Sequence, residues 1–325
     1  MIQIGIIGSG GYVAGELIRC LVYHPNVQLN FLYSTSQAGR KVAEIHEDLF
    51  SADNLVFTAV INPNVDVVFL CLGHGNSSKF LVENSFSDKT VIIDMSNDFR
   101  LDKDANFQGK DFVYGLVELN QSKIKKAKYI ANPGCFATAI QLGLLPLAKA
   151  GLLNDDIHVN AITGSTGAGQ SLRATSHFTW RNNNVSIYKA FKHQHLNEIG
   201  ESILSLQKEF KQDINFIPVR GDFTRGIFAS MYTKSEMSEE ELMDLYSNFY
   251  QNNKFTFISN KTINLKQVVH TNNCLIQVQK IENKVLITSV IDNLLKGAAG
   301  QAIQNMNLIF GLEENTGLNL KASYH

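Results

Sequence analysis

The first hundred residues alternate short apolar runs with positions that are apolar at helical spacing. Four of the runs are apolar on both faces, as expected for parallel strands that helices cover on either side. These runs are residues 3–7, 29–33, 66–72 and 91–94. Between the first two runs, apolar residues recur at the spacing of one helix face, at Ala14, Leu17, Ile18, Leu21 and Val22. The chain therefore opens with a predicted strand, turn, helix and strand unit.

Beyond residue 135 the spacing changes. An apolar stretch over 136–150 predicts a long buried helix, and Ser238 followed by Glu241 is typical of a capping box that begins a helix over 238–250. The predicted strands of this part are 158–163, 228–232, 274–279 and 285–291. We therefore expect a second domain of α+β type, followed by a last helix over 296–310 whose small residues allow close packing.

Length and composition agree with a compact protein of this kind. The chain has 325 residues, which at roughly 150 residues per domain predicts two domains. Hydrophobic residues make up 44% and charged residues only 18%, against about 25% in an average domain, which favours an oligomer with much buried surface. Lys plus Arg total 29 and Asp plus Glu total 30, so the chain has no overall field to hold nucleic acid or an anionic membrane surface.

The four cysteines, Cys20, Cys71, Cys135 and Cys274, are widely scattered and predict neither a disulfide framework nor a zinc site. Residues 129–148 carry no charge, but they include Asn132, Pro133, Gly134, Gln141 and Pro146, which indicate a loop that enters a buried helix rather than a membrane span. The N-terminus lacks the basic and then apolar order of a secretory signal, so we expect a cytoplasmic protein.

A glycine-rich turn follows the first predicted strand, where residues 8–15 read Gly-Ser-Gly-Gly-Tyr-Val-Ala-Gly. Such a turn lets backbone N–H groups approach a phosphate at the start of a helix. Glycines also fill tight turns that bind nothing, but the strand before and the helix after favour dinucleotide binding. The expected cofactor-binding residues of the turn are Gly8, Ser9, Gly10, Gly11, Tyr12 and Val13.

The end of the second predicted strand bears on which nicotinamide cofactor binds. An acidic residue there would bond the free ribose 2′-hydroxyl, and none is present. Instead Ser34, Ser36 and Arg40 offer hydroxyls and a cation that suit the 2′-phosphate of NADP(H). An ordinary polar loop is the alternative.

Cys135 follows Asn132-Pro133-Gly134 and directly precedes a predicted helix. Free N–H groups and the helix dipole at such a position stabilise a thiolate, which suits a nucleophile. An inert buried cysteine is the alternative, and it is our interpretation of Cys20 and Cys71.

His193, His195 and Glu198 form the densest cluster of groups able to move protons. Surface histidines are one alternative. Two histidines two apart could also hold a metal, but no third ligand has an obvious spacing, so no metal is expected.

Three further features are candidates for binding ligands. The glycine-rich loop 164–169 could wrap an anion through backbone N–H groups and hydroxyls, or be a plain flexible turn. His74 follows a predicted strand at the edge where α/β sheets bind ligands, though a structural role is equally open. Arg225 could clamp a carboxylate or phosphate with its planar fork, or form a surface ion pair.

Taken in order along the chain, these motifs resemble the N-acyl-glutamyl-phosphate reductases of arginine biosynthesis, relatives of aspartate-semialdehyde dehydrogenase. The likeness runs from Gly8 to Asn307 and includes residues 94–100, 114–118 and 304–307. No single motif would be sufficient, but their order and spacing are highly specific.

The resemblance implies an α/β fold, with a Rossmann-type NADP-binding domain over 1–132 that the C-terminal helical segment 296–325 rejoins. Residues 133–295 would form an α+β catalytic and dimerisation domain. Cys135 would be the nucleophile, and His195 with Glu198 its acid/base pair. Further cofactor contacts are expected from His74, Gly164, Gly167 and Asn293, and substrate contacts from Asn132, Arg100, Ser165 and Arg225.

Three residues depart from the family pattern. Ala14 stands where the family often has the third turn glycine, Gln194 where it often has arginine, and Asn197 where proline is common. The first keeps a small side chain, so cofactor binding should survive. The second removes a cation beside the acid/base histidine.

The implied reaction is the NADPH-dependent reduction of an N-acyl-γ-glutamyl phosphate to its semialdehyde, through a thioester on Cys135. The expected partners are the small acyl phosphate and inorganic phosphate, with no nucleic acid or membrane, in a cytoplasmic homodimer or homotetramer. A reductase of another acyl phosphate, such as aspartyl phosphate, and a non-catalytic NADP-binding sensor are the alternatives. The sequence leaves open whether the N-acyl group is acetyl, succinyl or carried by a protein.

Overall fold

A computed structural model describes residues 1–52 and 54–324. Within these residues the chain divides into two compact units. The first comprises Met1–Pro133 and Ala298–Asn319, and the second comprises Gly134–Gly297 and the described residues from Leu320 on. The predicted domain limits were 132 and 295, whereas the chain leaves the first unit after residue 133 and returns to it after residue 297.

The described residues form fourteen strands and eight α-helices, numbered here in chain order. The strands are β1 Ile2–Ile7, β2 Val27–Tyr33, β3 Val67–Leu70, β4 Val91–Asp94, β5 Asn106–Phe107, β6 Lys110–Tyr114, β7 Tyr129–Ala131, β8 Ile157–Thr163, β9 Ser186–Ile187, β10 Ile214–Arg220, β11 Ile227–Lys234, β12 Thr256–Ser259, β13 Cys274–Ile281 and β14 Lys284–Ile291. The helices are α1 Tyr12–Leu21, α2 Ser77–Glu83, α3 Val117–Ile124, α4 Cys135–Lys149, α5 Phe178–Arg181, α6 His195–Leu206, α7 Glu239–Tyr250 and α8 Ala299–Ile309.

The first unit is built on a sheet in the order β2-β1-β3-β4-β7-β6-β5, parallel except for the edge pair β5 and β6. Every residue of β3 and β4 is buried, as the apolar runs predicted for strands covered on both faces. The chain runs from β1 to β2 on one side and then returns to β3 on the other. This reversal creates a crevice at the carboxyl ends of β1 and β3, where doubly wound sheets bind ligands.

Helix α8 ends in a way that its sequence explains. Gly311 takes a positive φ of 67°, its N–H donates to the Leu308 carbonyl, and the Leu312 N–H donates to the Asn307 carbonyl. These are the two bonds of a Schellman motif. The helical part of segment 296–325 is therefore shorter than predicted, and the residues from Leu320 on belong to the second unit.

The second unit is built on a mixed sheet in the order β12-β13-β14-β11-β8-β10-β9. Along β11, buried positions alternate with more exposed ones, as expected for a sheet with one covered face. The predicted strands match β8, β11, β13 and β14, which are each longer by one or more residues. The predicted capping box is also present: the Ser238 hydroxyl accepts the Glu241 N–H, and the Glu241 carboxylate accepts the Ser238 N–H.

Helix α4 is the buried centre of the second unit. The Pro146 ring nitrogen has no proton for the Leu142 carbonyl one turn earlier, and the hydroxyl of Tyr250 donates to that carbonyl instead. Gly143 lies against the Met231 side chain, where an ideal Cβ would come within 2.3 Å of the methionine methyl group. Tight packing thus fixes the helix whose first residue is Cys135.

The chargeless stretch 129–148 contains strand β7, a short loop and most of α4. No helix of the described chain has both the length and the apolar character to cross a membrane.

Candidate active site

The glycine-rich turn lies between β1 and α1 in the first unit. Gly8 has a φ of 77°, and an ideal Cβ there would come 2.7 Å from the carbonyl oxygen of Cys71, the residue that follows β3. Glycine is therefore required both by the backbone conformation and by the close approach. Helix α1 begins at Tyr12 with Gly11 as its N-cap, so no side chain caps its first N–H groups. These N–H groups are suited to a phosphate.

Ser9 holds the turn in place from inside the unit. Its N–H and its hydroxyl both donate to the Tyr33 carbonyl, at 3.1 and 2.9 Å, and the residue is fully buried. The carbonyl oxygen of Ser9 forms a hydrogen bond with Nε2 of His46, at 2.9 Å. His46 also lies against Gly15, where an ideal Cβ would be 2.7 Å from the ring. Sequence reasoning missed this histidine, which lies 37 residues from the turn that it braces.

The predicted 2′-phosphate residues lie beside the turn. An ideal Cβ at Gly10 would be 4.0 Å from Oγ of Ser34, and the hydroxyls of Ser34 and Ser36 are 3.5 Å apart. Arg40 forms an ion pair with Glu44, at 3.0 Å, and donates to the Gln37 side chain, at 2.9 Å. The arginine thus has a carboxylate partner that the sequence reasoning did not foresee.

His74 is exposed in the loop after β3, where its Nδ1 accepts the Asn97 N–H at 3.1 Å. Asp98 organises the same loop, because its carboxylate accepts the N–H groups of Gly75 and Ser78. Burial acts to raise the pKa of Asp98, but the hydrogen bonds from Ser78, Gly75 and Ser96 outweigh it and hold the pKa below its usual range.

Arg100 and Asn132 are predicted substrate contacts that the structure places in internal bonds. Nε of Arg100 donates to the Asn132 carbonyl, at 2.8 Å. The Asn132 side chain donates to the Ala298 carbonyl, at 3.1 Å, and accepts from Asn305, at 3.2 Å, and the residue is 1% exposed. The geometry supports a bracing role for both residues within the first unit.

In the second unit, Cys135 is the first residue of α4, with Gly134 as the N-cap. Two glycines allow the backbone to close around it. An ideal Cβ at Gly297 would come 2.7 Å from Cβ of Cys135 and 2.5 Å from the Asn293 carbonyl oxygen. An ideal Cβ at Gly134 would come 2.3 Å from Nε2 of His195. The imidazole of His195 therefore lies directly against the residue that precedes the cysteine.

His195 and Glu198 lie one helical turn apart at the start of α6, and both are buried. Nε2 of His195 is 3.9 Å from Oε1 of Glu198. The other carboxylate oxygen of Glu198 accepts the N–H of Gly134, at 2.9 Å. The structure thus brings the three predicted catalytic residues together around the N-terminus of α4.

His193 supports this arrangement as a neutral ring. Its Nδ1 accepts the N–H of His195, at 3.2 Å, and the two rings are 4.5 Å apart between centroids. Burial, with the nearby charges of Lys189 and Arg220, lowers the pKa of His193 to about 4, although Glu198 acts in the opposite sense. Lys189 and Arg220 are therefore cations near the segment in which Gln194 replaces the family's arginine.

Among the described residues, no group of three or more His, Cys, Asp or Glu side chains could hold a metal ion.

The loop 164–169 differs from its prediction as a cradle of backbone N–H groups. The N–H groups of Gly164, Ser165 and Thr166 donate to carbonyls of residues 223–226, at 2.8 to 3.1 Å. An ideal Cβ at Gly164 would come 2.5 Å from the Thr224 carbonyl oxygen, so this glycine is required by the pairing of the two loops. These three N–H groups are occupied, and the predicted anion cradle is wrong for them.

Asn293 and Arg225 also take part in this pairing. The Asn293 side chain accepts the Gly226 N–H, at 2.6 Å, and donates to Oγ1 of Thr166, at 3.1 Å. An ideal Cβ at Gly167 would be 3.9 Å from the same side-chain nitrogen of Asn293. The fork of Arg225 is bonded twice to the buried carboxylate of Asp292, at 3.1 Å each. Among the alternatives, the structure thus places Arg225 in an ion pair, and a largely buried one.

Tyr188 and Arg220, which the sequence analysis did not single out, lie near His193. Tyr188 packs against the His193 ring with centroids 5.8 Å apart, and the guanidinium carbon of Arg220 lies 4.6 Å from the centroid of the Tyr188 ring. Burial raises the pKa of Tyr188 to about 12, helped by the charge of Cys135 and opposed by that of Arg220. Its hydroxyl therefore stays protonated at neutral pH. No local motif marks either residue.

Comparison with known families agrees with this arrangement. Residues 3–127 match the family described as semialdehyde dehydrogenase, NAD binding domain, and residues 135–293 match semialdehyde dehydrogenase, dimerisation domain. The fold and the site thus define an oxidoreductase of the semialdehyde dehydrogenase class.

Curated relatives identify the family within this class to which the chain belongs. The N-acetyl-gamma-glutamyl-phosphate reductase of Flavobacterium johnsoniae is 64% identical over 323 residues, which cover 99% of each chain. That of Christiangramia forsetii is 61% identical over 324 residues and covers 100% of each chain. The chain belongs to the family of N-acetyl-gamma-glutamyl-phosphate reductases.

Solved structures support the fold alone. The crystal structure of aspartate semialdehyde dehydrogenase II complexed with ASA from Vibrio cholerae has a TM-score of 0.74 and 17% identity, covering 96% of this chain and 98% of that one. Aspartate semialdehyde dehydrogenase from Francisella tularensis has a TM-score of 0.69, covering 95% of this chain and 100% of that one.

The comparisons confirm several predictions. The family resemblance is correct, as are the α/β fold class, the assignment as an oxidoreductase and the nicotinamide dinucleotide cofactor. The dimerisation-domain match also indicates that the chain forms oligomers.

Proposed function

We propose that this chain reduces N-acetyl-γ-glutamyl phosphate to N-acetylglutamate 5-semialdehyde, with oxidation of NADPH and release of inorganic phosphate. The observation that carries the proposal is the position of Cys135 at the first residue of α4, beside the buried pair His195 and Glu198. The substrate is supported by the names of relatives that are more than half identical over nearly their whole length.

In the first step, the Cys135 sulfur bonds to the acyl carbon of the substrate, and the carbon–oxygen bond to phosphate breaks. The leaving phosphate takes up one proton from solvent, and a thioester remains on the cysteine. The helix N-terminus serves this step twice, because its N–H groups stabilise both the thiolate and the oxyanion of the tetrahedral intermediate. Glu198 already occupies the Gly134 N–H, which leaves the N–H groups that follow to face the reacting oxygen.

In the second step, the thioester becomes an aldehyde. NADPH, when held by the glycine turn of the first unit, would supply the hydride that the thioester carbon accepts. His195, whose ring lies against Gly134, then donates a proton to the resulting oxyanion to give a hemithioacetal. When the carbon–sulfur bond breaks, His195 takes the same proton back, and the Cys135 thiolate leaves with the bonding electron pair. The proton count on the enzyme is thereby restored.

The first unit is the domain that binds the cofactor in this proposal. The glycine turn and the start of α1 would hold the pyrophosphate, and Ser34, Ser36 and Arg40 would bind the 2′-phosphate of NADPH. The second unit is the catalytic and dimerisation domain.

We also propose a cytoplasmic homodimer or homotetramer. Exposed apolar side chains are concentrated over one stretch of the second unit: Leu172, Phe178, Val185, Ile187 and Phe191. Such patches are typical of protein–protein interfaces. Sedimentation at several concentrations measures the oligomeric state, and a monomer at micromolar concentration would contradict the proposed oligomer.

None of the four cysteines forms a disulfide, as expected in a reducing compartment.

The reverse direction gives the sharpest test of the reaction. With N-acetylglutamate semialdehyde and NADP⁺ but no phosphate, the thioester should persist, so that about one equivalent of NADPH forms per site. Adding phosphate or arsenate should then start sustained turnover. Sustained NADPH formation without phosphate, yielding free N-acetylglutamate, would make the protein a hydrolytic dehydrogenase.

The forward direction separates the alternatives. Selective NADPH oxidation with N-acetyl-γ-glutamyl phosphate supports the proposal, and preference for β-aspartyl phosphate contradicts it. If the protein turns over neither acyl phosphate, the remaining interpretation is a nucleotide-binding sensor. Cys135→Ser is the matched control, since it should abolish reduction while NADPH affinity is nearly unchanged.

A further inference from the structure

Arg220 is the last residue of β10 and lies at the carboxyl edge of the second sheet, paired in register with Thr163 of β8 and Ser186 of β9. Its guanidinium carbon lies 4.6 Å from the centroid of the Tyr188 ring. Arginine stacks readily on aromatic faces, and this contact fixes the plane of the group. Arg220 is therefore an oriented cation rather than a long side chain free to move in solvent.

The charge of Arg220 has no carboxylate partner within the part of the chain that the structure describes. Its Nε atom is buried, and no described atom accepts its proton. Two nearby arginines of the same unit differ. Arg225 is held by the carboxylate of Asp292, and Arg181 donates to backbone carbonyls, including that of Arg220 itself. A buried guanidinium donor without an acceptor requires an explanation, and an anionic ligand is one.

Further cations lie near Arg220. Burial and the charge of Arg220 lower the pKa of Arg181, and the charge of Asp222, whose carboxylate accepts the Asn183 N–H, acts in the opposite sense. Lys189 and Arg220 both act to lower the pKa of His193, so two cations are close enough to affect that ring. Burial keeps the Tyr188 hydroxyl protonated, so that tyrosine adds a donor and no negative charge. Such a site favours an oxyanion that can accept several donors at once.

A row of contacting rings joins Arg220 to the catalytic cysteine. Tyr188 contacts His193, with centroids 5.8 Å apart, and His193 contacts His195, with centroids 4.5 Å apart. His195 in turn lies against Gly134, the residue before Cys135. An anion bound by Arg220 would therefore belong to the molecule that reacts at the cysteine.

We propose that Arg220, oriented by Tyr188, binds an anionic oxygen group of the substrate during reaction at Cys135. This inference rests on the proposed function, whose substrate carries two such groups, the α-carboxylate and the phosphate. The carboxylate is planar and the phosphate is tetrahedral, and the guanidinium fork can bind two oxygens of either group at once.

The reverse reaction separates the two groups, because semialdehyde and inorganic phosphate are then different molecules. In Arg220→Gln, we expect KM for one of them to rise about 10- to 100-fold, as when a charge-assisted bond is lost. A rise for phosphate alone assigns Arg220 to the leaving group, and a rise for the semialdehyde alone assigns it to the carboxylate. Unchanged KM values for both would overturn the proposal.

Two further variants control for folding and for general charge. Arg220→Lys keeps the charge but not the fork, and it should give a KM between those of the wild type and Arg220→Gln. Lys211→Met removes an exposed cation that precedes β10, at the opposite end of the strand from Arg220, and it should change either KM by less than about 3-fold. An equal effect of Lys211→Met and Arg220→Gln would mean a general field, and the specific contact would be wrong.

A binding measurement keeps this test independent of the proposed reaction. Inorganic phosphate or N-acetylglutamate should slow the alkylation of Cys135 by iodoacetamide in the wild type, and Arg220→Gln should lose the protection given by one of them. If the wild type shows protection but no turnover, the reaction is wrong and the anion site stands. If turnover occurs and protection is the same in both proteins, the anion site is wrong.

Discussion

The main-chain N–H of Gly134 donates to a carboxylate oxygen of Glu198, at 2.9 Å, across 64 residues of sequence. The bond ties the N-cap of α4 to the first turn of α6, and so it fixes the cysteine relative to the histidine. A carboxylate at this place satisfies a buried donor and orients its neighbour.

Glu198 should therefore act as a positioning residue. We expect Glu198→Ala to lower kcat by more than 10-fold, because it leaves the Gly134 N–H without its acceptor and removes the charge beside His195. Glu198→Gln keeps an oxygen for that N–H and should recover part of the loss. A purely structural role would change the melting temperature in both variants and leave the pH profile of kcat unaltered.

Gly134→Ala should disturb the catalytic centre with little effect on the cofactor. The new Cβ would meet three atoms of the His195 ring at 2.3 to 2.7 Å, so the imidazole must move. Displacements of this size cost about 100-fold in rate. Steady-state kcat measures the loss, with the Kd for NADPH as the reference.

Gly200→Ala is the matched control for that variant. Gly200 lies in α6, and an ideal Cβ there would have no atom within 4 Å apart from its chain neighbours and the backbone of its own helix. Replacing glycine by alanine in a helix interior should stabilise the protein by about 0.5 to 1 kcal/mol and leave kcat unchanged. Equal losses of kcat in the two variants would show that the contact between Gly134 and His195 is unimportant.

His193 should make folding stability depend on pH. Its pKa is about 4 in the folded chain and 6.5 as the ordinary value, so the unfolded chain binds more protons between these values. The free energy of unfolding should rise with pH across that window and level off above pH 7, by at most about 3 kcal/mol from this group. Denaturant unfolding at several pH values measures the slope, and His193→Gln should flatten it. Identical slopes in the two proteins would contradict the assignment.

Because Arg40 and Glu44 form an ion pair, neutralising one or the other should have opposite effects on the preference for NADPH over NADH. Arg40→Gln should weaken NADPH binding more than NADH binding, because the 2′-phosphate loses its cation. Glu44→Gln removes the competing carboxylate and should tighten NADPH binding relative to NADH. Fluorescence titration with both cofactors measures the ratio of Kd values, and a ratio that neither variant changes would place Arg40 away from the phosphate.

His46→Ala should weaken both cofactors equally, by about 10-fold. The ring braces the Ser9 carbonyl inside the glycine turn, and we propose that this turn binds the pyrophosphate that NADPH and NADH share. A selective effect on NADPH alone would instead place His46 near the 2′-phosphate.

Much of this protein was determined locally by its sequence. The first strand, the glycine turn and α1 follow from apolar spacing and from a φ that only glycine adopts easily, and the Ser238 capping box is satisfied three residues along the chain. The position of Cys135 at a helix start likewise follows from the apolar pattern that begins after Gly134. In each case the physical cause acts within a few residues.

The tertiary structure alone decided which polar groups are available to bind ligands. The sequence of the loop 164–169 predicts an anion cradle, but the N–H groups of its first three residues donate to carbonyls 58 to 62 residues away. Arg220 and Arg225 lie five residues apart and look alike in the sequence. The fold gives Arg225 the carboxylate of Asp292, 67 residues away, whereas Arg220 contacts the side chain of Tyr188 and has no carboxylate partner among the described residues. Such pairings depend on which strands become neighbours and in what register, and no pattern of neighbouring residues along the chain contains that information.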